Sequence, residues 1–184
     1  DRPGAPCSVE VRRINVSAAF FLSIEFQETG YLVERLYKAA YGDAAGASNF
    51  GPAHQIAVPV IRFSEFLPDT QQVSKDVIVG QLGWELQLEN NKAAFALAFV
   101  SRSRFANAYP TTLTPTQFVD ALFTKTGVTP SVVERSAAVN EFGGAGNTAD
   151  TNARARALRR VAENSTLVQQ EKNRAFVLIQ YFGY

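Results

Sequence analysis

The side chains best suited to chemistry near neutral pH are scarce in this chain. Cys7 is its single thiol and His54 its single imidazole. Nucleophilic catalysis by such a pair needs both within hydrogen-bond reach, with the imidazole oriented by a third group. Cys7 lies among Pro3, Gly4 and Pro6, and His54 follows Pro52 in an irregular stretch; nothing in their spacing joins them. One Cys and one His also fall short of the four ligands of a zinc site, so no catalytic, cofactor-binding or metal-binding residue is assigned. Gly143-Gly144-Ala145-Gly146-Asn147 lacks the Lys-Ser/Thr that follows the glycines of a phosphate-binding loop, and it reads as a linker. Asp150 with Asn147 and Asn152 offers hard oxygens to Ca²⁺, but a single carboxylate fits helix capping better. Glu25, Glu28, Glu34, Glu85 and Glu89 are the acids from which a hydrolase pair could be drawn. Each sits beside basic or amide residues, as on a solvated helix face.

Arg154, Arg156, Arg159 and Arg160 form the one basic cluster. Arg156, Arg159 and Arg160 share a face opposite Leu158 and Val161, and Glu163 stands one turn after Arg159 to neutralise it. Arg154 falls toward the apolar side and is expected to pair with a carboxylate or reach out to solvent. The whole chain carries 18 basic against 17 acidic residues, a balance that gives no field for capturing nucleic acid. Asn15-Val16-Ser17 and Asn164-Ser165-Thr166 match the glycosylation acceptor pattern, which occurs often by chance.

The elements that would position these residues are helical. Val11, Ile14, Ala18 and Phe21 fit one face of a first helix, and Ser23 can cap the next. There Leu32, Val33, Leu36, Tyr37 and Ala40 form an apolar stripe that Gly42 ends. Gly83-Trp84 opens the clearest helix, with Trp84, Leu88, Phe95 and Phe99 on one side and Glu85, Glu89 and Lys92 elsewhere. Thr114-Pro115-Thr116-Gln117 is a capping box with Pro at the first helical position; Phe118, Val119, Leu122 and Phe123 follow, and Gly127 stops the helix. Thr129-Pro130 starts another helix running toward Phe142. Beyond the linker at 143–147, two helices are expected, about 151–163 and 166–182. Residues 43–80 form an irregular insertion. Ile56-Ala57-Val58 and Val77-Ile78-Val79 are its β-type runs, expected to pair as a hairpin within 52–80, with one helical turn at Phe63–Phe66. The expected fold is therefore all-α, a single domain over 1–184 with about six to eight helices. Its predicted core includes Phe21, Phe26, Leu36, Tyr37, Trp84, Phe95, Phe99, Phe118, Leu122, Leu158, Val161, Phe176 and Ile179. No apolar run is long enough to span a membrane, so the chain is expected not to be membrane-embedded.

A repeat runs through these elements. Phe20 through Phe26 followed by Leu32-Val33-x-x-Leu36-Tyr37 is matched by Phe99 through Phe105 followed by Phe118-Val119-x-x-Leu122-Phe123. A fainter copy is Val161 through Leu167 followed by Phe176-Val177-x-x-Gln180-Tyr181. This pattern resembles a bacterial domain family of unknown function found in secreted and surface proteins, notably of acidobacteria, and distantly similar to the repeats of phycobilisome linker polypeptides. The segments Ile14–Gln27, Phe63-x-x-Phe66-Leu67-Pro68-Asp69-Thr70-Gln71 and Ala175–Tyr184 are closest to the acidobacterial branch. The resemblance implies linker-like helical repeats, an extracellular or cell-surface location and no catalytic residues. The family pattern continues into Leu-Gly-Arg-x-Pro-Asp where this chain reaches Tyr184; with no Met in the chain, it reads as a section of a longer protein.

The functional expectation that follows is a non-catalytic assembly module, packing with copies of itself or with other surface proteins, a filament or surface array being one form. The alternatives are an accessory module that binds polysaccharide through exposed aromatics and, last, a hydrolase of unfamiliar type. An exposed aromatic row would favour sugar, and an exposed aliphatic patch would favour protein.

Overall fold

The computed structural model describes residues 24–48 and 54–182. Within them the chain is all-α apart from one two-stranded hairpin. The helices are α1 (Ile24–Glu28), α2 (Gly30–Tyr41), α3 (Phe63–Ser74), α4 (Trp84–Val100), α5 (Ser103–Ala108), α6 (Pro115–Thr126), α7 (Val132–Asn140), α8 (Thr151–Ala162) and α9 (Ser165–Phe182). The strands are β1 (Asp43–Ser48) and β2 (His54–Pro59). Among these helices none is long and apolar enough to cross a membrane.

Local chemistry sets most of the boundaries. Gly42 ends α2 at φ 75° and ψ −156°, a region essentially closed to other residues, and its N–H reaches the Lys38 carbonyl. At the head of α6 the Thr114 hydroxyl accepts from the Gln117 N–H while the Gln117 side chain accepts from the Thr114 N–H, and Gly127 closes the helix in the left-handed region. Helix α7 starts later than Thr129-Pro130 predicts, because Ser131 and Glu134 form a second capping box there. Asp150 caps α8 through the N–H groups of Asn152 and Ala153, and Asn147 accepts from the Ala149 N–H in the preceding turn.

Two expectations in the irregular segment change. Ile56-Ala57-Val58 does form a strand, but it pairs with Gly46, Ala45 and Ala44 rather than with 77–79. The closer partner closes a far shorter loop, while Val77–Val79 is bounded by Asp76 at φ 58° and Gly80 at φ 86°, both turning the chain out of an extended path. Phe63–Phe66 is the start of a three-turn helix that runs through Pro68. Proline there forfeits the bond to the carbonyl of Ser64, an exposed residue whose backbone water can serve. Helix α3 is tied down in part by Asp69, which accepts from the Tyr37 hydroxyl at 2.9 Å and takes both arms of Arg102 at 2.6 and 2.8 Å.

The core is a run of aromatic rings. Tyr37, Phe95 and Phe105 each lie 5.0–6.0 Å from Phe99 between centroids, and Phe105, Tyr109, Phe118 and Phe142 carry the chain of contacts on. Most of these pairs meet edge to face, the preferred geometry. Of the predicted core, Phe26, Leu36, Tyr37, Phe95, Phe99, Phe118, Leu122, Leu158 and Val161 are buried, and Trp84 packs half-buried against them. Phe21 and the side chains of Phe176 and Ile179 lie outside the described residues. The paired apolar residues of the first two repeat copies, Leu32-Val33 on α2 and Phe118-Val119 on α6, are all fully buried, and those helices pack on each other and on α8.

Arg154 neither pairs with a carboxylate nor reaches solvent. It is 3% exposed, with Nη2 donating to the Tyr109 carbonyl at 2.5 Å and Nη1 to the Thr148 carbonyl and hydroxyl at 3.3 and 3.2 Å. Its guanidinium lies 5.4 and 5.1 Å from the centroids of Phe105 and Phe118. The α5–α6 connection and the turn before α8 bring two carbonyls to its plane, and the ring faces replace a counter-ion.

Candidate interaction surface

Helix α4 is apolar on two opposite sides. At about 100° per residue, Leu88, Phe95 and Phe99 share one face, and all three are buried. Leu86, Asn90, Ala93 and Leu97 fall within about 60° of one another on the other side. Leu86 is 67% exposed and Leu97 38%, and Asn90, Ala93 and Ala94 are exposed with them. The run leading into the helix adds two more exposed aliphatic residues: Leu82 is fully exposed and Ile78 is 62% exposed. From Leu86 to Leu97 the stripe runs about 16 Å along the axis. A helix buried on one side gains nothing for its own fold from leucines on the other.

Charge frames this stripe without filling it. Glu89 takes both arms of Arg159, at 2.7 and 3.3 Å, and this hydrogen bonding holds its carboxyl below the usual range. Arg159 also reaches Glu163 at 2.8 Å, the pairing their spacing predicts. Lys92 lies nearer the buried side than expected and meets Glu28 of α1 at 3.0 Å. Arg156 and Arg160 converge on Glu141; burial pushes that carboxyl up, but hydrogen bonds from both guanidiniums outweigh it and hold the group ionised. Arg156, Arg159 and Arg160 are thus matched by Glu141, Glu89 and Glu163, which leaves no net positive patch for a polyanion.

The aromatic side chains are arranged differently. Tyr37 and Tyr109 are buried, Tyr31, Tyr41 and Trp84 are half-buried, and the Arg104 guanidinium sits 4.0 Å from the Tyr41 centroid. Every exposed large apolar residue among those described is aliphatic: Leu67, Ile78, Leu82, Leu86, Leu97, Val132 and Val133.

The other chemistry-bearing residues stay apart. His54 opens β2, Cys7 and Asn15 lie outside the described residues, and so does the side chain of Glu25. Glu28, Glu85 and Glu89 sit on exposed helix faces. Among the described residues no three His, Cys, Asp or Glu side chains come together as metal ligands would. Gly143 and Gly144 have φ of 59° and 83° and turn the chain after α7, as a linker requires. Asn164 caps α9 by accepting from the Thr166 and Leu167 N–H groups.

The outer stripe was open to sequence reasoning. Leu86, Ala93 and Leu97 recur at i, i+7 and i+11, opposite the stripe that begins at Trp84, and mark a second apolar face. A buried acid went unseen: Glu34, expected on a solvated face, has both carboxylate oxygens buried without a hydrogen-bond partner. No family model matches the chain, and no matching curated protein or solved structure was found.

Proposed function

We propose that the chain is a non-catalytic assembly module of an exported bacterial protein, docking through the outer face of α4 onto copies of itself or neighbouring surface proteins. One observation carries this reading: among the described residues the exposed large apolar side chains are aliphatic, and four of the seven, Ile78, Leu82, Leu86 and Leu97, lie on α4 or in the run leading into it. An exposed aliphatic face is suited to burial against another apolar protein face, whereas sugar stacking needs exposed rings. The resemblance to a family of secreted and surface domains supports the exported location. Val132 and Val133, at the head of α7, give the module a second aliphatic patch. Contact between unlike patches that fails to close propagates, which would yield a filament or an array.

Light scattering and electron microscopy of the purified protein test this reading, with Leu86→Asp/Leu97→Asp as the comparison. The parent is expected to associate as concentration rises, and the double variant to remain monomeric with unchanged helicity. A parent that stays monomeric at millimolar concentration would refute self-assembly. Cys7→Ala/His54→Ala is expected to associate as the parent does; a turnover lost in that variant, with the fold intact, would refute the non-enzymatic reading.

A further inference from the structure

Five ionisable groups from three elements meet where α9 leaves the core. Lys38 Nζ on α2 lies 2.5 Å from Asp43 Oδ2 of β1 and 3.4 Å from Glu171 Oε1 of α9. Arg174 Nη1, one turn further along α9, lies 3.3 Å from Asp43 Oδ2 and 3.6 Å from Glu171 Oε2, and its Nη2 donates to the Ala57 carbonyl of β2 at 2.5 Å. Lys38 and Glu171 are each 7% exposed. Two cations and two carboxylates therefore balance one another and fasten α9 to α2 and to the hairpin. Glu34, one turn before Lys38, is the fifth group. Its two oxygens are buried and accept no hydrogen bond among the described residues.

With Glu34 protonated these five groups carry no net charge; with Glu34 ionised they hold a buried negative charge whose oxygens accept no hydrogen bond and which Arg35, Lys38 and Arg174 offset only in part against burial and the Glu171 charge. We propose that Glu34 is a proton-operated latch for α9: protonated, it lets the neutral cluster hold α9 on α2 and the hairpin, and ionised, it loosens that helix.

The charged surroundings agree. Burial first, and the Glu171 charge second, push the Glu34 carboxyl up to about 8, against the pull of Arg35, Lys38 and Arg174. Arg35 is committed elsewhere, its Nε donating to the Ala162 carbonyl at the end of α8, and Glu28 of α1 and Glu163 after α8 bear on it as well. Tyr31, one turn before Glu34 on α2, feels its charge in turn. Because the folded group holds its proton more tightly than the opened one, α9 is most firmly seated below the ordinary carboxyl range. The seating weakens as pH rises toward about 8 and changes little above it.

The test is amide hydrogen exchange over residues 168–174, corrected for intrinsic rates, from pH 5 to 9.5. In the parent the opening equilibrium of this segment should rise roughly tenfold per pH unit and level off above about 8, while the amides of α6 keep their protection. Glu34→Gln should remove the pH dependence. Glu171→Gln removes the neighbouring negative charge but leaves the burial, so it should make the rise smaller and level it off at a lower pH, and it decides the matter if Glu34→Gln does not fold. A pH-independent opening in the parent, or the same rise in a folded variant, would overturn the proposal.

Discussion

Replacing Arg154 with lysine keeps the charge and much of the length of the side chain but removes the planar fork, so it isolates what the fork does. The guanidinium spans two sites: the Tyr109 carbonyl on one arm and the Thr148 carbonyl and hydroxyl on the other. An ammonium is a single point and can serve one of them. Tyr109 and Thr148 are 3% and 0% exposed, so water does not replace the lost donor. Each buried carbonyl left without a partner costs about 1–3 kcal/mol. The contacts with the Phe105 and Phe118 rings contribute about 0.5–2 kcal/mol more, part of which an ammonium retains. The sum is a loss of about 3 kcal/mol, or a fall of about 6–12 °C in Tm for a domain of this size. Urea unfolding followed by far-UV circular dichroism measures it directly, with Arg154→Met as a second variant that also removes the buried charge. An Arg154→Lys protein within about 0.5 kcal/mol of the parent, the usual range of neutral surface changes, would refute the claim that this fork ties the α5–α6 connection to α8.

Two further outcomes follow from the packing. Phe99→Ala, at a fully buried ring in contact with four other aromatic side chains, is expected to cost about 3–5 kcal/mol in the same urea titration. Gly42→Ala is expected to lower Tm through about 1–3 kcal/mol of backbone strain, and a new Cβ would also stand 3.3 Å from the Lys125 carbonyl oxygen; an unchanged Tm would show that the end of α2 does not need its left-handed glycine.

Features written locally in the chain could be read before the structure. The capping box at Thr114 and Gln117, the stops at Gly42 and Gly127 and the stripe from Trp84 to Phe99 each depend on residues within a few turns of one another, so periodicity and side-chain chemistry reveal them. The features that escaped depend on partners with no local signature. Arg154 is satisfied by backbone carbonyls and ring faces, which leave no trace in residue type. The strand that pairs with Ile56–Val58 is Asp-Ala-Ala-Gly-Ala-Ser, a segment with almost no intrinsic β preference that forms because its neighbour supplies the ladder. Glu34 is spaced like a surface acid, and Glu171 and Arg174, which bear on it, lie far off in the sequence.

The bond from Arg35 to the Ala162 carbonyl spans 127 residues, and that distance has a kinetic consequence. Helices α6 and α7 carry their own caps and pack on each other, so they can order while the chain between them is short. Helix α2 packs on α6 and α8, and those contacts close only after a large loop has been brought together. During synthesis α2 emerges before its partners, and its apolar stripe is not fully covered until the end of α8 has left the ribosome. Truncations on α2 are therefore expected to accelerate unfolding and leave the refolding rate nearly unchanged, whereas truncations at the contact of α6 with α7 slow refolding itself.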